Sequence, residues 1–173
     1  MLSILIVNWN TRESLAHCLE SLAESAKGLR FQVIVVDNDS EDGSEVMLER
    51  SFPRVTCIRA KRNLGYGAGM NLAIRRAGTP LVLLLNPDVV AGKGAIRKLV
   101  DYMGENDHIG VAGGTLVGED GRPQMEDYYV PFPTLRSALL HYSRVSVLAS
   151  RFHITPERFT DRSTDTSTTD DDD

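Results

Sequence analysis

The sequence has few of the features that mark disulfide-rich or membrane-spanning proteins. Its 173 residues contain two cysteines, Cys18 and Cys57, too few for a disulfide framework or a metal cluster, so we expect both to be reduced core residues. The longest aliphatic run, Leu81 to Leu85, is far shorter than the roughly 20 apolar residues of a transmembrane helix. The first residues lack a basic start followed by an apolar stretch and a cleavage site. We therefore expect a cytoplasmic protein without a transmembrane segment.

The chain also has no excess of positive charge. The net charge is −5, and residues 161–173, with six aspartates and one arginine, account for all of it. The preceding residues are neutral overall, which signals no basic surface, so we expect no nucleic-acid partner. Residues 156–173 are acidic, of low complexity and without an apolar anchor, which predicts a disordered tail.

Short apolar runs alternate with helical patterns along most of the chain. The predicted strands cover residues 2–8, 32–38, 55–59, 81–85 and 109–117. The first predicted helix begins after the N-cap residue Thr11, and the other three cover residues 44–50, 68–77 and about 95–103. This alternation predicts an α/β fold with a doubly wound, mostly parallel sheet and helices on both faces. The uninterrupted aliphatic run at 81–85 predicts a strand buried on both faces.

The pattern weakens after a turn at residues 118–121. We expect an α/β domain over residues 1–122, a partial segment over 123–155 and then the acidic tail. The partial segment contains one amphipathic stretch, at about 135–148, and no clear strand.

Polar residues follow four of the predicted strands. They are Asn8, Trp9 and Asn10 after the first, Asp37, Asn38 and Asp39 after the second, Lys61, Arg62 and Asn63 after the third, and Asn86, Pro87 and Asp88 after the fourth. The carboxyl ends of strands in a doubly wound sheet share one edge, and ligands bind beyond it. We therefore expect these residues to converge on one cleft.

Each of these residues has an alternative explanation. The asparagines and Asp39 are common turn formers whose side chains bond their own backbone. Trp9, the only tryptophan, either stacks on a base or fills the core. Asp88 either binds a hard divalent cation together with diphosphate oxygens or caps the following helix.

The glycine-rich segment "GYGAGMN" is similar to a phosphate loop but departs from the known motifs. Met70 stands where Gly-x-Gly-x-x-Gly needs its third glycine, and no Gly-Lys-Ser/Thr follows. These departures disfavour a dinucleotide-dependent oxidoreductase and a P-loop nucleotidase.

Four segments, "ILIVNWN", "VIVVDNDSEDGS", "NLGYGAGMN" and "LLLNPDV", occur in this order, and "DGRPQ" and "FPTL" follow. As a set, over about residues 1–135, they resemble the donor half of an inverting family 2 glycosyltransferase with the GT-A fold, closest to the rhamnosyltransferase-like branch. The resemblance implies an enzyme of polysaccharide or cell-wall biosynthesis that uses Mg²⁺ or Mn²⁺. It implies a nucleotide-diphosphate sugar donor, for which the branch suggests dTDP-rhamnose, and a glycan or lipid-linked acceptor. It also implies a location in the cytoplasm or at the inner face of the membrane.

The resemblance also implies roles for individual residues. Trp9 would pack near the nucleotide base beside the backbone of Val7 and Asn8, and Asp37 and Asn38 would contact base and ribose. Asn63, Gly65 and Asn71 would flank the diphosphate, Asn86 would line the donor site, and Asp88 would be the metal ligand.

The family's general base has no counterpart in this sequence. In the family it is an Asp in a later acidic motif, preceded by a Trp-x-x-Gly-Ala-like stretch, and neither occurs here. Glu126 and Asp127 match no family position and are expected on the surface. The alternatives are a transferase and a nucleotide-sugar-binding module without turnover. A sheet cut after its donor half would expose an edge or an apolar face, so we also expect a homo-oligomer.

Overall fold

The computed structural model describes residues 1–118 and 121–124. The element order is β1 (Leu2–Asn8), α1 (Arg12–Ser25), β2 (Phe31–Asp37), α2 (Ser44–Ser51), β3 (Thr56–Arg59), α3 (Tyr66–Ala77), β4 (Leu81–Leu85) and α4 (Ala95–Glu105). None of the described helices has both the length and the apolar character needed to cross a membrane.

The chain divides into two compact units, Met1–Gly114 and a second that begins at Thr115. All eight elements belong to the first unit. The domain limits that we expect at residues 122 and 155 stay predictions. The amphipathic stretch at 135–148, the acidic tail, Glu126 and Asp127 lie outside the described residues.

The four strands form one parallel sheet in the order β3-β2-β1-β4. In its register Asn8 lies opposite Asp37, and Ile6 lies opposite Leu85. Strand β1 is central, and all of its residues are buried. This sheet confirms the predicted doubly wound α/β fold.

Helices cover both faces of the sheet because side chains alternate along each strand. On one face Ile4 and Ile6 of β1 pack with Leu15 of α1 in the larger buried cluster, to which α2 and α4 also contribute. On the other face Leu5 and Val7 of β1 pack with residues of α3. The apolar stripe of α1 is buried at Leu15, Leu19, Leu22 and the adjoining Ala26.

Strand β4 is only half covered, which corrects the prediction that it is buried on both faces. Leu81, Leu83 and Leu85 pack against the larger cluster, but Val82 and Leu84 are 45% and 49% exposed. Among the described strands β4 is an edge strand, and α3 packs mainly on β1 and β2, so this face of β4 is left largely uncovered. The expected self-association stays a prediction.

The predicted strand at residues 109–117 is wrong. This segment has no ladder partner among the described residues and makes only an isolated antiparallel bridge between Val117 and Pro123. The predicted turn is present, since the amide of Gly121 donates to the carbonyl of Gly118 at 2.9 Å. A strand needs hydrogen bonds from a neighbouring strand, which β-propensity alone does not supply.

Helix α3 approaches the sheet closely at one glycine. A Cβ added at Gly69 would lie 3.0 and 3.2 Å from the two methyl carbons of Val7 and 3.8 Å from Val36. The two distances to Val7 are tighter than nine in ten real Cβ contacts, so the branched side chain of Val7 would have to shift by a few tenths of an ångström. Gly69 therefore sets how closely α3 packs against the ends of β1 and β2.

We expect Gly69→Ala to lower the free energy of unfolding by about 1 to 3 kcal/mol, because the added methyl overpacks the α3 face of the sheet. Gly67→Ala is the matched control, since a Cβ at Gly67 meets nothing within 4 Å, and it should be neutral or stabilise by less than about 1 kcal/mol. Urea unfolding measures both. Equal stability of the two variants would contradict the close approach.

Candidate functional site

The ends of β4, β1 and β2 lie side by side at one edge of the sheet. Neighbouring strands are roughly 4.8 Å apart, and the three are consecutive in the sheet. Asn86 follows β4, Trp9 follows β1 and Asn38 follows β2. Strands β1 and β2 end opposite each other at Asn8 and Asp37, whereas β4 ends at Leu85, opposite Ile6 and two residues earlier.

A buried hydrogen bond joins the last residues of β1 and β2. Asn8 is fully buried, and its Nδ2 donates to Asp37 Oδ2 at 2.8 Å and to Ser40 Oγ at 3.1 Å. Its Oδ1 accepts from the hydroxyl of Thr11 at 2.7 Å. The other carboxylate oxygen of Asp37 accepts from the amide of Ser40 at 2.9 Å. The side chains of Asn8 and Asp37 therefore hold the two loops together.

The start of α1 is capped from another loop. Thr11 occupies the N-cap position as predicted, but its hydroxyl donates to Asn8 Oδ1 and it makes no side-chain cap bond. The free amide of Arg12 donates to Asp42 Oδ2 at 2.7 Å instead. Asp42 Oδ1 also accepts from the amide of Ser44 at 3.0 Å and from its hydroxyl at 2.6 Å. One carboxylate thus satisfies the first turns of α1 and α2.

These contacts lower the pKa of Asp42. Burial alone would raise its pKa, but the hydrogen bonds from Ser44 and from the amide of Arg12 favour the charged carboxylate and outweigh the effect of burial. The loop after β2 is therefore held by a carboxylate that is charged at neutral pH.

The segment before α3 is tied to the end of β2. Asn38 is 2% exposed, its Nδ2 donates to Asn63 Oδ1 at 2.8 Å, and its Oδ1 accepts from the amide of Leu64 at 2.9 Å. Asn63 Oδ1 also accepts from the amide of Gly65 at 2.8 Å. Gly65 has φ 78° and ψ 165°, a conformation that residues with a Cβ avoid. Asn71 is exposed on α3.

The polar side chains form hydrogen bonds between different loops. They are therefore more than turn formers that bond only their own backbone. Asn10 has a positive φ of 53°, yet its Oδ1 accepts from the amide of Glu41, 31 positions away, at 2.8 Å. Its own amide donates to Ser40 Oγ at 3.0 Å. Ser40 and Asp42 are therefore site residues that the sequence reasoning missed. The signal was present in "DNDSEDGS", where a hydroxyl and a second carboxylate follow the expected Asp37 and Asn38.

Two candidates are exposed, and their alternative explanations fail. Trp9 is 54% exposed, so it is not a core ring. Asp88 is also exposed and does not cap α4, because the N-cap of that helix is Gly94. Tyr66, the first residue of α3, is a further exposed aromatic, 52% accessible.

Cysteine 18 lies beside the segment that carries Asp88. Its Sγ–H donates to the carbonyl of Asn86 at 3.7 Å. Burial, and then the negative charge of Asp88, raises the pKa of this thiol to about 11. Burial likewise raises the pKa of Cys57. Both cysteines are free, and Cys18 is fully buried, whereas Cys57 is half-buried.

The described residues contain no group of three or more histidine, cysteine, aspartate or glutamate side chains that could hold a metal by themselves. A lone carboxylate still suits Mg²⁺ or Mn²⁺ when phosphate oxygens and water complete the coordination. Asp88, exposed at the end of β4, therefore fits a cation that arrives with a phosphorylated ligand.

We expect Asp42→Asn to make the free energy of unfolding depend less on pH in the acidic range. A lowered folded-state pKa contributes stability that is present above the unfolded value, near 3.9, and is lost as the pH falls through the folded value. Between about pH 5 and pH 3 the free energy of unfolding should fall more steeply in the wild type than in the variant. The variant should also lose about 1 kcal/mol at pH 7.

The control for this prediction is Asp107→Asn, which changes an exposed aspartate in the loop after α4. It should keep the wild-type slope in urea unfolding measured at each pH. If the free energy of unfolding of Asp42→Asn changed with pH as steeply as that of the wild type, the capping role of the Asp42 carboxylate would be refuted.

Comparison with known proteins gives related sequences and folds. The chain is 33% identical over 114 residues to an uncharacterised glycosyltransferase of Bacillus subtilis, YfnE, covering 64% of this chain and 29% of that protein. It is 29% identical over 132 residues to an N-acetylglucosaminyl-diphospho-decaprenol L-rhamnosyltransferase of Mycobacterium tuberculosis, covering 70% and 43%. The chain thus spans less than half the length of these two relatives.

Solved structures share the fold. Staphylococcus aureus TarS in complex with UDP-GlcNAc superposes with a TM-score of 0.55 at 20% identity, covering 66% of this chain and 37% of that one. A Pyrobaculum calidifontis mannosyltransferase in complex with GDP-Man and Mn²⁺ gives the same TM-score at 20% identity, covering 59% and 32%. The model of the family described as glycosyl transferase family 2 matches residues 3–166. This chain belongs to glycosyl transferase family 2.

Proposed function

We propose that this chain binds a nucleotide-diphosphate sugar and is the donor-binding part of an enzyme that transfers the sugar to a glycan or lipid-linked acceptor. The observation that carries the proposal is the placement of an exposed indole, Trp9, and an exposed carboxylate, Asp88, after neighbouring strands of a family 2 chain. A nucleotide diphosphate has a flat base at one end and negative charge at the other, which suits these two groups.

The base would stack against Trp9. Base–aromatic stacking contributes about 1 to 3 kcal/mol, and a ring that is 54% exposed has a free face for it. The side chains of Asn8 and Asp37 form hydrogen bonds with each other and with neighbouring residues. Their part in base and ribose recognition would be to fix the loops. Val7 would contribute through its backbone and Asn38 through its backbone carbonyl, since the amide of Asn38 already donates to the carbonyl of Asn8 at 2.8 Å.

The diphosphate would lie near the start of α3. That helix has no acidic residue in its first turn and no side-chain cap, so its first amides remain available to an anion. A Cβ at Gly65 or Gly67 would meet nothing within 4 Å, so there is open space beside the start of the helix. Asn63 would hold the loop, and Asn71 and Asn86 would supply polar contacts on either side.

Asp88 would hold the cation, Mg²⁺ or Mn²⁺. A bound cation supplies Lewis-acid neutralisation of the charge that builds up on the departing diphosphate. The chain's own residues would bind and orient the donor, so that the anomeric carbon faces the acceptor. The fully bonded loops suit this task because they need no rearrangement when the donor arrives.

We take dTDP-rhamnose as the first donor to test, because a relative at 29% identity is named an L-rhamnosyltransferase. UDP-GlcNAc is the second, because TarS is solved in complex with it. The name of the L-rhamnosyltransferase includes a decaprenol, a lipid, which supports a lipid-linked acceptor and a site of action next to a membrane.

We expect Asp88→Asn to abolish the gain in nucleotide affinity that Mn²⁺ gives, with the fold intact, because only the charged carboxylate binds the cation. Calorimetric titration of dTDP and UDP, with Mn²⁺ and with a chelator, measures this. Asp107→Asn is the control and should keep the gain. An equal gain in Asp88→Asn and the wild type would remove the metal role.

We expect Trp9→Ala to weaken nucleotide binding about tenfold or more, because the base loses its stacking partner. The melting temperature should fall little, since the ring is largely exposed. Trp9→Phe, which keeps an aromatic face, should retain most of the affinity. A large drop in melting temperature with unchanged nucleotide affinity would show that the indole has a packing role instead.

A further inference from the structure

Helix α1 holds the connection between β4 and α4 through a row of contacts. Cys18 Sγ donates to the carbonyl of Asn86 at 3.7 Å, and Ser21 Oγ accepts from the amide of Ala91 at 3.0 Å. Further along, the carbonyl of Glu24 accepts from the amide of Gly94 at 3.3 Å, and Ser25 Oγ accepts from the amide of Ile96 at 3.1 Å. Cys18, Ser21 and Ser25 are three or four positions apart, so their side chains lie on one face of the helix.

In the contact between Ser21 and Ala91, the serine oxygen is the acceptor and the backbone amide is the donor. The hydroxyl of Ser21 donates its proton to the carbonyl of Cys18 at 2.6 Å, which leaves an oxygen lone pair for the amide of Ala91. An alanine at position 21 would remove this acceptor, and the half-buried amide of Ala91 would lose its partner. A threonine would keep the hydroxyl.

Asp88 lies between the two first anchors. Asn86 is two residues before it and Ala91 is three residues after it, and the amide of Val89 closes a turn onto the carbonyl of Asn86 at 3.3 Å. The connection then passes through Gly92 and Gly94, the second with φ 71°. A glycine-containing segment of this kind gains order from anchors that restrict its backbone.

We propose that Ser21 is a positioning residue for the cation and diphosphate at Asp88, acting through its hydrogen bond to the amide of Ala91. The inference rests on the proposed function, since it concerns the same site. Ser21 itself touches neither the ligand nor the cation. Its hydroxyl holds the carboxylate's segment at a fixed distance from the core, so that the carboxylate does not need to be ordered when the cation binds.

The test compares three variants of the full chain by calorimetric titration of dTDP and UDP, with Mn²⁺ and with a chelator. In Ser21→Ala the gain in affinity given by Mn²⁺ should fall about tenfold, the size typical of residues that orient a metal ligand. Its affinity in the chelator should change less than about twofold, because the base-binding loops are not touched. Ser21→Thr should keep the full gain, and so should the control Ser51→Ala, an exposed serine at the end of α2.

The outcomes separate this inference from the proposed function. If Ser21→Ala keeps the full Mn²⁺ gain while Asp88→Asn loses it, the positioning role is overturned and the metal role stands. If the wild type shows no Mn²⁺ gain, both are overturned. Should Ser21→Ala fail to fold, Ser21→Cys, whose sulfur is a weak acceptor, replaces it. An equal gain in Ser21→Cys and Ser21→Thr would then overturn the role.

Discussion

The hydrogen bond between Asn8 and Asp37 is the constraint on which the site depends. It joins the last residues of two central strands at 2.8 Å, and both side chains are almost wholly buried. Breaking it would leave a buried amide and a buried carboxylate partly unpaired, at a cost of about 1 to 3 kcal/mol for each group. The remaining bonds of the pair, to Ser40 and Thr11, spread this constraint to the loops on either side. The loop that carries the exposed indole of Trp9 is therefore held rigidly at its start.

Helix α1 carries the same constraint to the other end of the site. Its first amide is held by Asp42 from the loop after β2, and Ser21 in its middle holds the connection after β4. The adjoining face of the helix packs into the core through Leu15 and Leu22, together with Cys18 itself. A single element thus contacts the core, the proposed base-binding loops and the proposed cation-binding segment. The geometry of the site and the packing of the core are for this reason hard to change separately.

The sequence predicts the strands and helices of the first unit well, because each is long enough to show its own period. It fails for residues 109–117, where apolar composition is present but no neighbouring strand is supplied within the described part of the chain. It also fails for the exposure of Val82 and Leu84. A run of aliphatic residues reports that a strand is apolar, whereas its place in the sheet decides how much of it is covered.

The sequence by itself determined which residues follow the strands, and with them the edge at which Trp9 and Asp88 lie. The order of polar and apolar residues is a local property, and the parallel connection of βα units follows from it. Only the tertiary structure decided that Asn8 and Asp37 bond to each other, and that Ser40, Asp42 and Ser21 complete the framework. These partners lie about 30 to 70 positions apart. Their meeting depends on how the strands pair and how α1 packs on the sheet, and both involve residues far apart in the sequence.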